Sequence, residues 1–204
     1  MRHFMLVALC LWYAVPFTRL AAQSPCTNCY ALVIGITGYP KFDSDKRLQY
    51  ADDDATDFAA FLQSREGGGI AQNHIYLLRN EVATKDAILD SLEALKRADN
   101  RSGGKGLVFV FFAGHGVRDH QQAYLMPYDG RQDLPSGRGI PMSEFVRQLD
   151  GITSSVIFFI DACYSGAAFG TGLSRDGGEN ATSDLTDIWQ RQLRDQDALR
   201  MGIV

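Results

Sequence analysis

The chain has 204 residues, 46% of them apolar and 22% charged, with a formal net charge of −4. That composition suits one globular domain with a substantial core and excludes a fibrous or disordered chain. The basic residues are scattered rather than striped, so the footprint of a nucleic-acid binder is absent and no nucleic-acid partner is expected.

Residues 1–22 read as a secretory signal. Arg2 and His3 precede an apolar stretch from Phe4 to Val15, followed by Pro16, Arg19 and a small-residue site at Ala21-Ala22. The stretch is short for a membrane span. Cleavage after Ala22 is expected, giving an exported protein, periplasmic or extracellular, with no membrane attachment; the alternative is an uncleaved signal acting as an anchor. Residues 23–29 form a short lead. Its Cys26-Thr27-Asn28-Cys29 is spaced to close a small disulfide in an oxidising compartment, leaving Cys163 as the single free thiol of the mature chain. No second Cys-x-x-Cys or close histidine pair accompanies it, so a zinc site is not expected.

Tyr30 to Ile36 reads as the first buried strand, and Thr37 to Lys46 as a loop rich in Gly, Pro and Asp. Leu48, Ala51, Ala55, Phe58, Ala59 and Leu62 fall on one helical face, the mark of a crossover helix. Glycines at 67–69 end it. Ile75 to Leu78 makes a short second strand, and Thr84 caps a helix from Lys85 to Arg97 with Ile88, Leu89, Leu92 and Leu95 inward. The turn at 101–105 contains Gly103-Gly104-Lys105-Gly106, which lacks the glycine spacing and the Ser or Thr of a phosphate loop. Leu107 to Phe112 is the third strand. An exposed segment at 117–122 follows, then a short extended piece at 123–127, a polar loop to Gly139 and a short helix from Ser143 with Phe145, Val146 and Leu149 inward. Val156 to Ile160 fits a strand buried on both faces of a parallel sheet. The alternation of strand and helix predicts an α/β fold with right-handed crossovers. Residues 167–183 have the composition of a flexible linker, and 184–204 are a charged helical stretch with a Leu185, Ile188, Trp189, Leu193 stripe, turning apolar from Met201.

Two of these strands end in residues that can do chemistry. Leu107–Phe112 runs into Ala113-Gly114-His115-Gly116, and Val156–Ile160 into Asp161-Ala162-Cys163-Tyr164-Ser165-Gly166. Open α/β sheets carry their sites beyond the carboxyl ends of strands, and neighbouring strands lie about 4.8 Å apart. On adjacent strands His115 and Cys163 would therefore face one cleft. A thiol becomes a strong nucleophile once an imidazole takes its proton, and the same imidazole can protonate the leaving group. Gly114 and Gly116 leave room for a substrate carbonyl to reach backbone N–H groups, with Gly116 and Cys163 as the candidate oxyanion donors. Tyr164-Ser165-Gly166 is not a serine elbow, because Cys163 stands where that motif needs glycine.

Phe112-Ala113-Gly114-His115-Gly116, with Asp161-Ala162-Cys163-Tyr164-Ser165-Gly166 placed so that Cys163 lies 48 residues after His115, resembles the catalytic pair of caspase-like cysteine peptidases. The metacaspases and bacterial caspase homologues are the branch it resembles most, over residues 30–166. The resemblance implies a three-layer sandwich with a mostly parallel sheet in the order 2-1-3-4, helices on both faces, and C-terminal strands that here are missing or truncated. It implies an endopeptidase acting on proteins or peptides with basic residues. Asp161, two residues before the nucleophile, and Asp54 fall where metacaspases place the pocket carboxylates for arginine or lysine, whereas Asp52 and Asp53 read as surface. Ala113 replaces a serine frequent in metacaspases. Some metacaspases use calcium; Asp119, Asp129 and Asp133 are candidate ligands, but they lack EF-hand spacing and no metal or cofactor is expected. Arg175, Arg191 and Arg194 are expected self-cleavage points. A non-catalytic caspase-like interaction module is the alternative function.

Overall fold

The computed structural model describes residues 25–119, 122–162 and 201–203. Its centre is β1 (Cys29–Gly35), Cys-Tyr-Ala-Leu-Val-Ile-Gly, buried along its whole length. A strand with apolar residues at every position can be satisfied only between two neighbours and beneath cover on both faces. β2 (Ile75–Arg79) and β3 (Leu107–Ala113) supply the neighbours, and β7 (Ser155–Asp161) and β8 (Met201–Ile203) extend the sheet to the order β2-β1-β3-β7-β8, parallel throughout. The first four strands stand in the expected 2-1-3-4 order. β8, from the tail whose residues turn apolar at Met201, adds a fifth against Val156, Ile157 and Phe158.

Helices cover both faces. On one side α1 (Ala51–Gln63) lays Ala55, Ala59 and Leu62 on Ala31 and Val33; Gly35 is required beneath it, because a Cβ there would lie 2.2 Å from the Ala51 carbonyl oxygen. On the other side α2 (Lys85–Arg101) and α4 (Met142–Leu149) bury Ile88, Leu92, Leu95, Phe145 and Leu149 against the opposite strand face. Phe112, Phe145 and Phe158 are fully enclosed there, and each such ring contributes about 1.5–3 kcal/mol by leaving water. A small antiparallel sheet, β4 (Gly116–Asp119), β5 (Gln122–Leu125) and β6 (Ile140–Pro141), branches from the end of β3. The single turn α3 (Pro135–Arg138) lies in the polar loop before β6.

Four expectations need correction. The segment after His115 is not exposed throughout: its start is β4, where Val117 is buried and pairs with β5 while Arg118 is exposed. α2 runs past Arg97 to Arg101, because Ala98 and Asp99 are buried at its end and continue the packed face. α4 begins at Met142, immediately after Pro141, one residue before Ser143. β7 is not buried on both faces: Val156 and Phe158 are enclosed, while Ile157 and Phe159 are half-covered on the side where Phe58 of α1 lies 5.1 Å from the Phe159 ring.

Cys26 and Cys29 are joined as a disulfide, and the Cys26 amide donates to the Gly68 carbonyl at 2.8 Å, which ties the lead to the loop after α1. The expected signal at 1–22, the expected linker at 167–183 and residues 184–200 lie outside the described residues. Among the described residues no helix is long and apolar enough to cross a membrane.

Candidate active site

β3 and β7 are parallel neighbours with Ala113 opposite Asp161. Past that pair the Gly114 amide donates to the Asp161 carbonyl at 3.1 Å, so the two strand ends stay joined one residue into the glycine loop. His115 lies two residues beyond Ala113, and Cys163 two residues beyond Asp161 in sequence; Cys163 itself lies outside the described residues. Arg175, Arg191 and Arg194, the expected self-cleavage points, also fall outside them.

His115 is only 6% exposed. Its ring is enclosed by the loop after β1: Phe42 stacks on it nearly parallel at 5.0 Å, and Tyr39 lies at 4.8 Å. Nε2 is hydrogen-bonded to the Lys46 carbonyl oxygen. A carbonyl can only accept, so Nε2 carries the proton and Nδ1 keeps its lone pair in the neutral ring. Burial pushes the imidazole pKa below its ordinary value; the Lys46 carbonyl opposes that shift and the Lys46 charge adds to it. The ring is thereby held as a neutral base near pH 7.

The neighbouring amides divide by what they bond. The Gly114 N–H is taken by Asp161, and the His115 N–H donates to the Tyr39 hydroxyl at 2.8 Å. Met126 N–H donates to His115 C=O at 2.9 Å, which puts the next antiparallel pair, Gly116 and Leu125, in the non-hydrogen-bonded register. The Gly116 N–H therefore points away from β5. Of the glycine-loop amides, it alone has the orientation expected of an oxyanion donor.

The carboxylates separate as well. Asp161 is exposed at the end of β7, and Asp54 is exposed on the first turn of α1. Asp52, read from sequence as surface, turns inward. It accepts from the Thr37 hydroxyl and from Asn80 Nδ2 at 2.9 Å, while Asn80 Oδ1 accepts from the Thr37 and Gly38 amides at 2.9 and 3.2 Å. The Thr37 hydroxyl is the chief reason the Asp52 carboxyl is held below its usual range. The candidate calcium ligands are otherwise engaged: Asp129 accepts from the Lys85 amide at 2.9 Å, and Asp133 pairs with Arg131 at 2.6 Å. Asp119 has partners of its own. Among the described residues no three such side chains gather as a metal site.

Sequence reasoning missed Tyr39, Phe42 and Lys46, which form the cage, and the loop carrying them also borders a cleft of about 560 Å³ with Asn80, Glu81 and Tyr128. The available signal was two aromatic residues inside a stretch otherwise rich in turn formers. Large rings in a polar loop must cover something apolar.

The Caspase domain family model matches residues 28–200 of the chain. A crystal structure of a protein from Geobacter sulfurreducens superposes with a TM-score of 0.52 at 19% identity, covering 86% of this chain and 70% of that one. The structure of pro-sf-caspase-1 gives a TM-score of 0.41 at 14% identity, covering 87% of this chain and 62% of its own. No curated protein sequence matches the chain.

Proposed function

We propose that this chain, which belongs to the caspase-domain family, is a cysteine endopeptidase with Cys163 as nucleophile and His115 as base and acid. The observation that carries the proposal is the cage around His115. A buried neutral imidazole, its tautomer set by the Lys46 carbonyl, sits at the end of a strand whose parallel neighbour leads within two residues to Cys163.

Nδ1 takes the thiol proton, and the thiolate attacks the scissile carbonyl carbon, forming the C–S bond. The oxygen becomes an oxyanion facing the N–H groups of Gly116 and Cys163. As the intermediate collapses, the imidazolium gives its proton to the departing amine and the C–N bond breaks. A water molecule, deprotonated by the same ring, then cleaves the thioester and the sulfur regains its proton. No metal or cofactor enters these steps. Asp54 and Asp161 are the carboxylates assigned to an arginine or lysine before the cut, since a cation leaving water needs an opposite charge. The Cys26–Cys29 bridge supports export to an oxidising compartment.

The test is turnover of a fluorogenic peptide ending in arginine against one ending in aspartate. The arginine substrate is expected to be preferred. His115→Ala is expected to lower kcat by at least about 10²–10⁴-fold, and Cys163→Ala to abolish turnover. Because burial lowers the His115 pKa, the acid limb of the rate profile is expected below the ordinary histidine value of about 6.5. No turnover at any pH, with or without calcium, leaves a non-catalytic caspase-like interaction module in its place.

A further inference from the structure

His115 is the residue where the chain passes from one sheet to the other. β3 ends at Ala113, β4 begins at Gly116, and the imidazole hangs from the two-residue junction between them. In an antiparallel ladder the pair next to Gly116 and Leu125, namely His115 and Met126, should exchange two backbone hydrogen bonds. One is present, from Met126 N–H to His115 C=O at 2.9 Å. The reciprocal bond is replaced. His115 N–H donates to Tyr39 Oη at 2.8 Å, and Tyr39 Oη donates to Met126 C=O at 3.2 Å, both in buried surroundings. A phenol oxygen is thus inserted into the ladder at the residue that carries the base.

The insertion needs space, and Gly114 provides it: a Cβ at that position would come within 2.5 Å of Tyr39 Oη. Tyr39 is itself held from behind, because Asn80 fixes the Thr37 and Gly38 amides and Asp52 fixes Asn80 and Thr37.

We propose that Tyr39 is a positioning residue for the dyad: its hydroxyl takes the place of the ladder bond that His115 lacks and so fixes the backbone from which the imidazole is aimed. Backbone direction sets side-chain direction, and a displacement of about 1 Å can cost on the order of 10²-fold in rate. This deepens the reading of His115 as the base and rests on it. The hydroxyl touches no reacting atom; it acts through His115.

The experiment compares Tyr39→Phe with Tyr30→Phe, a buried tyrosine stacked on His74 away from the site. Tyr39→Phe keeps the ring and removes only the inserted oxygen. Its kcat is expected to fall at least about tenfold with KM changed less than about threefold, while Tyr30→Phe stays within about twofold of the parent. Imidazole nitrogen shifts are expected to show a single Nε2–H tautomer in the parent and mixed tautomers in Tyr39→Phe. A folded Tyr39→Phe with kcat within about threefold of the parent overturns the proposal. Amide exchange in the unmodified chain provides a readout that needs neither catalysis nor a folded variant. If Tyr39 Oη is seated, the His115 amide exchanges as slowly as that of Met126; rapid exchange at His115 beside a protected Met126 overturns the proposal even when no peptide is cleaved.

Discussion

The two ends of the parallel sheet are closed by polar networks of opposite design. At the amino end the carboxylate of Asp99, fully buried at the end of α2, accepts from Thr153 N–H at 2.8 Å, Thr153 Oγ1 at 2.9 Å, Ser154 N–H at 3.1 Å and the Ser154 hydroxyl. Ser154 Oγ in turn accepts from Gly106 N–H at 3.0 Å, so one side chain ties α2 to the starts of β3 and β7. At the carboxyl end Asp52, Asn80 and Tyr39 hold a loop whose aromatic residues and carbonyls enclose one imidazole. The first network saturates a charge, and its four donors have no chemistry left to do. The second leaves one nitrogen of His115 with a lone pair that no side chain among the described residues takes, at the end where open α/β sheets bind ligands. A buried titratable group can be a rivet or a reagent, and what separates the two is whether its last lone pair is taken.

The sharpest way to break that contrast is Asp99→Ala, which removes the acceptor from four donors at once. It is expected to lower stability by about 3 kcal/mol, read as a drop of roughly 10 °C in the thermal unfolding midpoint. Activity should survive at temperatures where the variant is folded. A loss below about 1 kcal/mol would mean that the clamp is only decoration. The pH dependence follows from the same group. Burial pushes the Asp99 carboxyl up, but the hydrogen bonds from Ser154 and Thr153 outweigh that and hold it below its ordinary value. Its contribution is therefore complete above the unfolded carboxylate value of about 3.9 and is lost as pH falls through the lower folded value. Asp99→Asn should flatten the acid side of the stability curve.

A smaller effect is expected at the lead. Opening the Cys26–Cys29 bridge with Cys26→Ser and Cys29→Ser should cost about 2 kcal/mol, because the closed loop is short, and should leave kcat unchanged. A fall in kcat with unaltered stability would join this end of the sheet to the chemistry.

The smallest and most discriminating comparison is between two aspartates on one helix. Asp52→Ala should destabilise by about 1–2 kcal/mol by releasing Thr37 and Asn80. Asp54→Ala, at an exposed position, should stay within about 0.5 kcal/mol and lower the preference for an arginine substrate. If Asp52→Ala alone erased that preference, the pocket carboxylate would be reassigned to it.

Much of this arrangement was legible in one dimension. The unbroken apolar run of β1, the 3.6-residue stripe of α1, the Thr84 cap and the two neighbouring strands that end at Ala113 and Asp161 all follow from local periodicity and from residues with one chemical use. These signals are local because a strand or a helix must present its apolar side wherever it lies. The misreading and the omissions share one cause. Asp52 looked like surface, while Asp99 and Tyr39 drew no reading of their own, and each takes its meaning from partners 15 to 87 positions away.

The amino-acid sequence by itself therefore determined the layered α/β architecture and the strand order expected of the family it resembles, and it named Cys163 and His115 as the residues with the chemistry of a nucleophile and a base. Only the tertiary structure decided which nitrogen of His115 carries the proton, which glycine-loop amide faces outward, and that a tyrosine hydroxyl stands in for a ladder bond. Hydrogen-bond partners and burial depend on which distant segments meet, and that is a property of the folded chain rather than of any window along it.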